Sequence, residues 1–559
     1  MLSNERLQTL LRISFAAAGL ALFYFWQSLL FNIYASAFIG VLWTYAWGIP
    51  LSLLFIYWLK RDVSFSKEFW QSLGIIFINS VFGVAIISLA SGYSALFYRN
   101  MFGVHHWYPF VLFWLANLTV LFIAFRVYQR VSLPKWLAAP RRFIDEHLWG
   151  LSLAGIFFII YFVLAIIFNR TEFYMIDSLF EGDHSYWLRF FGVDAVGGQP
   201  KIRAVHPLVY IFLRPLSWFA SLFVNGNAYY GTLLVIAAMG ALAVFLFWLF
   251  LHEHGLPQPA SLLMASIFGA STTHLLFGAF AESYIFSAAA ILLFFVLIQR
   301  KNTTLKSLVP AGLLVFGITI SNIVQTVTAL FFVRKNIKLL IRYLAILLVL
   351  AVLLTFVNNA LYPYESGYFF IPDQLLGEQK YTQSVLDFPE WKLHGRVYAT
   401  VRNLAFYSVV APSSFFALPD PGKPLPRISF FAFEPGTFSH SAYDGFGNLV
   451  LLMWLLLVGF AGIRFLWQLR KRQNWQQPGT LFSLALLANI AFNLFFHIIY
   501  GEDPFLYSAD WTYALLLFVG INIISRWWSK AYLLVFLIFM MVNNFIFLDK
   551  LIAVLAQAF

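Results

Sequence analysis

The sequence predicts an all-α, polytopic transmembrane protein of about 13–15 spans. Three observations carry that prediction. Of 559 residues, 61% are hydrophobic and only 11% are charged, whereas soluble chains carry about 25% charged residues. Apolar windows of roughly 20 residues, enough to cross a hydrocarbon core of about 30 Å, recur from end to end. Ten-residue alternating segments of the kind that build a membrane β-barrel are missing.

Taken in order, the apolar runs place spans near 11–34, 36–59, 71–92, 107–126, 149–169, 228–251, 260–278 and 281–299. Further spans follow near 307–321, 322–333, 340–358, 446–466, 480–500, 511–525 and 531–548. The first run is too long and too aromatic for a cleavable signal and has no small-residue cleavage site, so it reads as a retained helix. The 322–333 segment is short enough to be half of a hairpin. Four parts result: an N-terminal four-helix module over 1–147, a core over 148–358, a large loop over 359–445 and C-terminal membrane helices over 446–559.

Charge gives the expected topology. With the N-terminus in the cytoplasm, that side holds 23 Lys+Arg and 6 Asp+Glu, and the other side 13 and 18. The basic side fits the positive-inside rule and contact with anionic membrane lipids, not nucleic acid. The acidic excess was not used to orient the chain, and it points to chemistry on the extracytoplasmic face. A multi-pass protein of the cytoplasmic (inner) membrane is the expected location. The chain has no cysteine, so disulfides, iron–sulfur clusters and thiolate zinc sites are excluded.

Both long loops are expected outside. Loop 170–227 opens with "DSLFEGDHSYW", which holds Asp177, Glu181, Asp183 and His184, and continues to "GGQPKIRAVHPL" with Lys201, Arg203 and His206. It ends in an amphipathic piece, 208–224, too interrupted to span and read as interfacial helices. Carboxylates followed by a basic cluster suit group transfer from a phosphate donor. A carboxylate accepts the proton of an acceptor hydroxyl, while Arg and Lys hold the departing phosphate. The same residues also suit an ordinary wetted loop. Loop 359–445, rich in Pro, Gly, Tyr and Phe, has the length of a lid or acceptor element.

"FEGD" (180–183), "VHPL" (205–208) and "AESYIFSAAAILL" (281–293) resemble, in order and on one side, motifs of the GT-C superfamily of integral-membrane glycosyltransferases. That class includes the protein O-mannosyltransferases and the bacterial lipid A aminoarabinose transferases. The resemblance covers about 145–520 and includes seven core spans from the 149–169 helix. Two features depart from it: adjacent acids are lacking, and four extra helices precede residue 130. The resemblance implies inverting transfer of a sugar from a polyprenyl-phosphate donor to a glycan, lipid or protein acceptor. Asp183 or Asp177 would be the base, and Lys201, Arg203 and His206 would hold the donor phosphate. At helical spacing, 177, 181 and 184 share a face from which 183 is offset, so Asp177 can pair with His184 while Asp183 faces a cavity. No cofactor is required. Some relatives use a divalent metal, but no residue here demands one.

Glu181, His184, Glu282, Tyr284, His497, Glu502, Asp503 and Tyr507 are the further candidates for substrate binding, as ionisable or aromatic groups at expected external helix ends. Lys392, His394, Arg396 and Arg402 are weaker candidates for a lipid-linked phosphate. The "HEH" at 252–254, the His105–His106 pair and the Asn322, Gln325, Thr326 group read as interfacial or backbone-satisfying residues. No P-loop, GxGxxG, HExxH or EF-hand loop occurs, so ATP hydrolysis and dinucleotide redox lack support. The rival readings are a transporter or flippase for lipid-linked glycans and a non-catalytic assembly protein of the same shape.

Overall fold

The computed structural model describes 37–59, parts of 112–128, and 138–556 apart from 170–178, 194–202, 223–225, 302–303, 364–366, 383–388, 420–424, 502 and 525. The chain divides into two compact units, 1–155 with 223–225, and 156–222 with 226–559. In the first, helix α1 (Ala37–Leu59) packs on residues near 120: a Cβ at Gly48 would lie 2.8 Å from Val120, and the Tyr45 and Thr119 hydroxyls are hydrogen-bonded. Helix α2 (Ala138–Phe168) begins in this unit, is kinked at His147 and runs on into the second.

In the second unit, loop helix α3 (His184–Phe190) and amphipathic α4 (Val209–Ser221) precede α5 (Ala228–Glu253), α6 (Gln258–Gly269), α7 (Thr272–Phe277), α8 (Tyr284–Gln299) and α9 (Leu305–Ile318). A 3-10 turn over Ile320–Asn322 reverses the chain into α10 (Ile323–Arg334), and α11 (Ile337–Leu361) returns. The long loop then forms α12 (Pro372–Leu376), α13 (Glu390–Arg402), β1 (Phe416–Leu418), β2 (Arg427–Ser429), β3 (Phe431–Glu434) and β4 (Thr437–His440). Helices α14 (Gly445–Arg470), α15 (Pro478–Ile499), α16 (Ala509–Asn522) and α17 (Trp527–Ala556) complete it.

Among the described residues, six helices are long and apolar enough to cross a membrane: Arg142–Phe168 of α2, α5, α11, α14, α15 and α17. At about 1.5 Å per residue, the 26 residues of α5 reach about 39 Å. Their burial separates core from periphery. Over its apolar 18-residue stretch α5 is 78% buried, and it packs on α8, α4 and α6, whereas the matching stretches of α11 and α14 are 28% buried. Leu348, Val349, Leu353, Leu452, Leu456 and Ile463 on those two helices are exposed. Apolar faces of that extent are stable against lipid rather than water, so the protein is membrane-embedded.

Close approach fixes the core. The fully buried Tyr161 donates its hydroxyl to the Gly269 carbonyl (2.8 Å) and fills space above Gly240, where a Cβ would lie 2.7 Å from its ring. Helix α4 sits equally close to α5, since a Cβ at Gly231 would lie 2.7 Å from the Ser217 carbonyl. Ser217, Leu213 and Tyr210 are buried on that side, while Trp218 and Phe219 are exposed on the other.

One expectation needs correction. The run 260–278 is broken into α6 and α7 at Ala270–Ser271, where the Asn544 amide donates to the carbonyls of Ala270 (2.9 Å) and Val409 (3.0 Å). Those bonds replace the helical ones that the break forfeits. The fold is otherwise helical, as expected, with very little sheet. The long loop holds two antiparallel hairpins, β1–β2 and β3–β4, the latter closed by Pro435–Gly436 with Gly436 at φ 83°. Pro followed by a positive-φ Gly suits a type II turn.

Candidate active site at one end of the bundle

Backbone bonds from Phe180 to Ile428, Ile320 to Val205, Thr272 to Val409 and Gly501 to Tyr381 bring the connections that hold these residues together at one end of the bundle. The "FEGD" turn is built there by unusual backbone. Phe180 and Glu181 are both left-handed, at φ 55° and 58°, a costly conformation for side chains with a Cβ. Tertiary contacts hold it. Phe180 donates its N–H to the Ile428 carbonyl of β2 (2.8 Å), and its ring is buried against Phe430 and Phe505. The turn directs Glu181 onto Arg427, with Oε1 2.6 Å from Nη1.

Beyond the turn, Asp183 precedes the first residue of α3 but makes no side-chain capping bond. Its carboxylate lies 3.7 Å from the Arg203 guanidinium and is 48% exposed. The next residue turns inward. His184 Nδ1 lies 3.5 Å from Glu282 Oε1, and both side chains are buried. Gly182 permits this packing, because a Cβ there would lie 2.6 Å from the His184 ring and 3.0 Å from Glu282 Oε1.

Arg203 is the hub. Its Nε donates to Glu378 Oε1 at 3.1 Å, Nη2 bonds Glu378 Oε2, and the Tyr500 hydroxyl lies 3.4 Å away. The Tyr381 ring centre is 4.6 Å from its guanidinium. Burial works against its charge, but the Glu378 hydrogen bonds and attraction outweigh that and raise its pKa. Arg203 therefore stays a fixed cation.

His206 is placed differently from the expectation that it holds a phosphate. Its Nδ1 lies 2.6 Å from the Ile318 carbonyl and its ring 5.0 Å from Trp187. Leu208 N–H donates to Gly317 (3.0 Å), and Ile320 N–H donates to Val205 (3.1 Å). "VHPL" thus caps the C-terminal end of α9, whose last carbonyls have no helical partner. Burial, with Arg203 nearby, lowers the His206 pKa to about 4, so the ring is neutral at pH 7 and serves the fold.

Next to Arg203 lies a cavity of about 220 Å³. Four cations, Lys380, Lys392, Arg396 and Arg427, line it together with the carboxylates of Glu181 and Asp503. Tyr381, Phe431 and Phe433 add aromatic walls, and Ser429 a hydroxyl. Asp503 is buried. It accepts from Ser429 Oγ (2.6 Å) and Phe505 N–H (2.8 Å), and burial raises its pKa despite those bonds. Arg396 donates to the His497 (2.9 Å) and Tyr500 (3.3 Å) carbonyls, so part of its bonding capacity seals the end of α15.

Set against known proteins, the chain matches no family model, no curated protein and no solved structure. The site's chemistry must therefore be judged from its own residues.

Of the residues singled out in the sequence, Glu181, Lys392, Arg396 and Asp503 line the cavity, and Asp183 and Arg203 stand beside it, Arg203 against Tyr381. Tyr507 and Tyr284 meet edge to face at 5.4 Å, and His497 stacks on Tyr507 at 4.2 Å. They form an aromatic layer, with Tyr284 and His497 buried, rather than cavity wall. Asp177, Lys201 and Glu502 lie outside the described residues. Arg402 is enclosed by Tyr398 and Tyr407. Among the described residues no three His, Asp or Glu side chains are grouped to hold a metal ion.

Sequence reasoning missed Glu378, Lys380, Tyr381, Arg427 and Ser429. Arg427 and Ser429 sit in the Pro-rich stretch "FALPDPGKPLPRISFFAFEPG" of the second loop, where a lone Arg before a β-prone run was the available signal. Glu378 gave none, because its partner lies 175 residues away.

Proposed function

We propose that this protein is a membrane glycosyltransferase of GT-C type. It would move a sugar from a polyprenyl-phosphate donor to a hydroxyl-bearing glycan, lipid or protein acceptor on the extracytoplasmic face. The observation that carries the reading is the cavity next to Arg203 and Asp183. Aromatic walls and carboxylates suit a sugar, and clustered cations suit its phosphate.

In the proposed step, Asp183 accepts the proton of the acceptor hydroxyl. That oxygen bonds the anomeric carbon from the face opposite the phosphate, and the glycosyl–phosphate bond breaks with inversion. The bonding electrons leave with the polyprenyl phosphate, whose charge Arg203 and the cavity cations stabilise. Glu378 keeps Arg203 aimed, which conserves reorganisation energy at the moment of transfer. Asp177 remains the second candidate base and Lys201 a further phosphate ligand. The exposed flank of α4 would meet the prenyl chain.

One observation favours a second reading, carriage of a lipid-linked glycan. A chain of buried polar side chains runs between α10, α15 and α16: Asp510 to Asn322 (2.9 Å), Asn322 to Gln325 (2.8 Å), then Tyr513 and Asn489. It starts at the helix break after Thr319, a feature of carriers.

One experiment separates these. The protein is reconstituted in proteoliposomes with a panel of polyprenyl-phosphate sugars, and both sugar transfer and transbilayer movement of the donor are followed. Release of polyprenyl phosphate with a glycosylated acceptor, lost in Asp183→Asn, supports the transferase. Donor movement with the glycosyl–phosphate bond intact establishes the carrier, and neither activity leaves the assembly protein.

A further inference from the structure

At the opposite end of the bundle, the α10–α11 turn and the α14–α15 connection enclose a groove of about 590 Å³. Phe331, Leu340, Leu481 and Leu484 make its apolar floor, and Trp475 and Lys335 stand at its mouth. Lys335 ends α10 in a left-handed conformation (φ 52°) and donates from Nζ to Gln476 Oε1 at 2.7 Å, tying the two connections together.

The charge around this mouth has one sign. Lys335, Lys338 and Arg342 are exposed on one connection, and Arg470, Lys471 and Arg472 on the other. No Asp or Glu occurs between Lys301 and Glu365, or between Asp444 and Glu502, so these segments carry no carboxylate to offset them. Two membrane-length helices, α11 and α15, also begin here, at Ile337 and Pro478, and their N-termini add partial positive charge. An apolar slot beneath a wholly cationic mouth, with exposed Trp467 and Trp475 beside it, has the layout of a lipid seat at a membrane interface.

We infer that this groove holds one anionic glycerophospholipid, its acyl chain against Phe331, Leu340 and Leu484 and its phosphate between Lys335, Lys338 and Arg470. The seat is separate from the site at the other end and would exist whether or not that end transfers a sugar. Its role is to clamp the two connections to each other at the membrane surface, beside the Lys335–Gln476 bond.

Native mass spectrometry of the full chain, titrated with phosphatidylglycerol and with phosphatidylcholine of the same acyl chains, tests this. Phosphatidylglycerol should bind at least about tenfold more tightly. Lys338→Ala and Arg470→Ala should each cost about fivefold, as expected for one interfacial cation apiece. Leu484→Trp, which fills the groove and keeps every charge, should remove the preference while the melting temperature in detergent holds. Equal binding of the two lipids overturns the site. A preference that survives Leu484→Trp reduces it to surface attraction and overturns the groove. Displacement of phosphatidylglycerol by equimolar polyprenyl phosphate overturns the choice of occupant.

Discussion

Arg203 and Glu378 form a two-point ion pair across 175 residues, joining the first loop to the second at the edge of the cavity. Arg–carboxylate forks of this kind fix direction as well as charge. Removing one partner leaves the other charge partly buried. Glu378→Gln and Arg203→Met should each destabilise the protein by about 1–3 kcal/mol, and the double variant by clearly less than their sum. Denaturant unfolding in micelles measures the cycle; additive losses would show that the pair is not coupled.

Asp183 pairs with Arg203 from a half-exposed position. Its side chain makes no capping bond and is half exposed, so Asp183→Asn should fold to normal yield. Transfer should fall by about 10²–10⁴-fold, the usual contribution of a positioned base. Normal turnover by this variant, with loss in Asp177→Asn, would move the base to Asp177.

His206 gives a pH signature. Its folded pKa, about 4, lies below its ordinary 6.5, so between those values the unfolded chain binds more protons. Stability should therefore fall as pH drops from 6.5 to 4, by about 3 kcal/mol at most. His206→Asn, which keeps a donor for the Ile318 carbonyl, should flatten that part of the curve. Melting temperatures between pH 4 and 7 decide it.

Gly182 is tightly enclosed, so Gly182→Ala should push the His184 ring off Glu282 and cost about 1–3 kcal/mol through overpacking. Gly192→Ala meets open space but holds φ 92°, so it should cost through backbone strain alone. Comparing the two by thermal unfolding and by transfer assay separates damage at the site from damage to the loop.

Much of the bundle was legible because lipid demands long apolar helices, and α5, α11, α14 and α15 fall close to the hydrophobic runs. Hydropathy did not reveal the break at Ala270–Ser271, since the Asn544 amide that stabilises it comes from a distant helix. At the site, the acidic turn was visible as a local cluster, and Glu181 and Asp183 lie where chemistry is expected. Of its cations, Lys392 and Arg396 stood out in the sequence and Lys380 and Arg427 did not, because those two gain meaning only when the second loop folds onto the first. "VHPL" was visible too, but its part in the fold was not, because the carbonyls it caps belong to α9.

The backbone bond from Phe180 to Ile428 imposes an order on biogenesis. The acidic turn leaves the ribosome long before β2 has been made, and through that interval its left-handed residues have no strand to hold them. A chain released after α11 would contain the whole motif yet lack the clasp, so maturation of this end waits on insertion of the later helices.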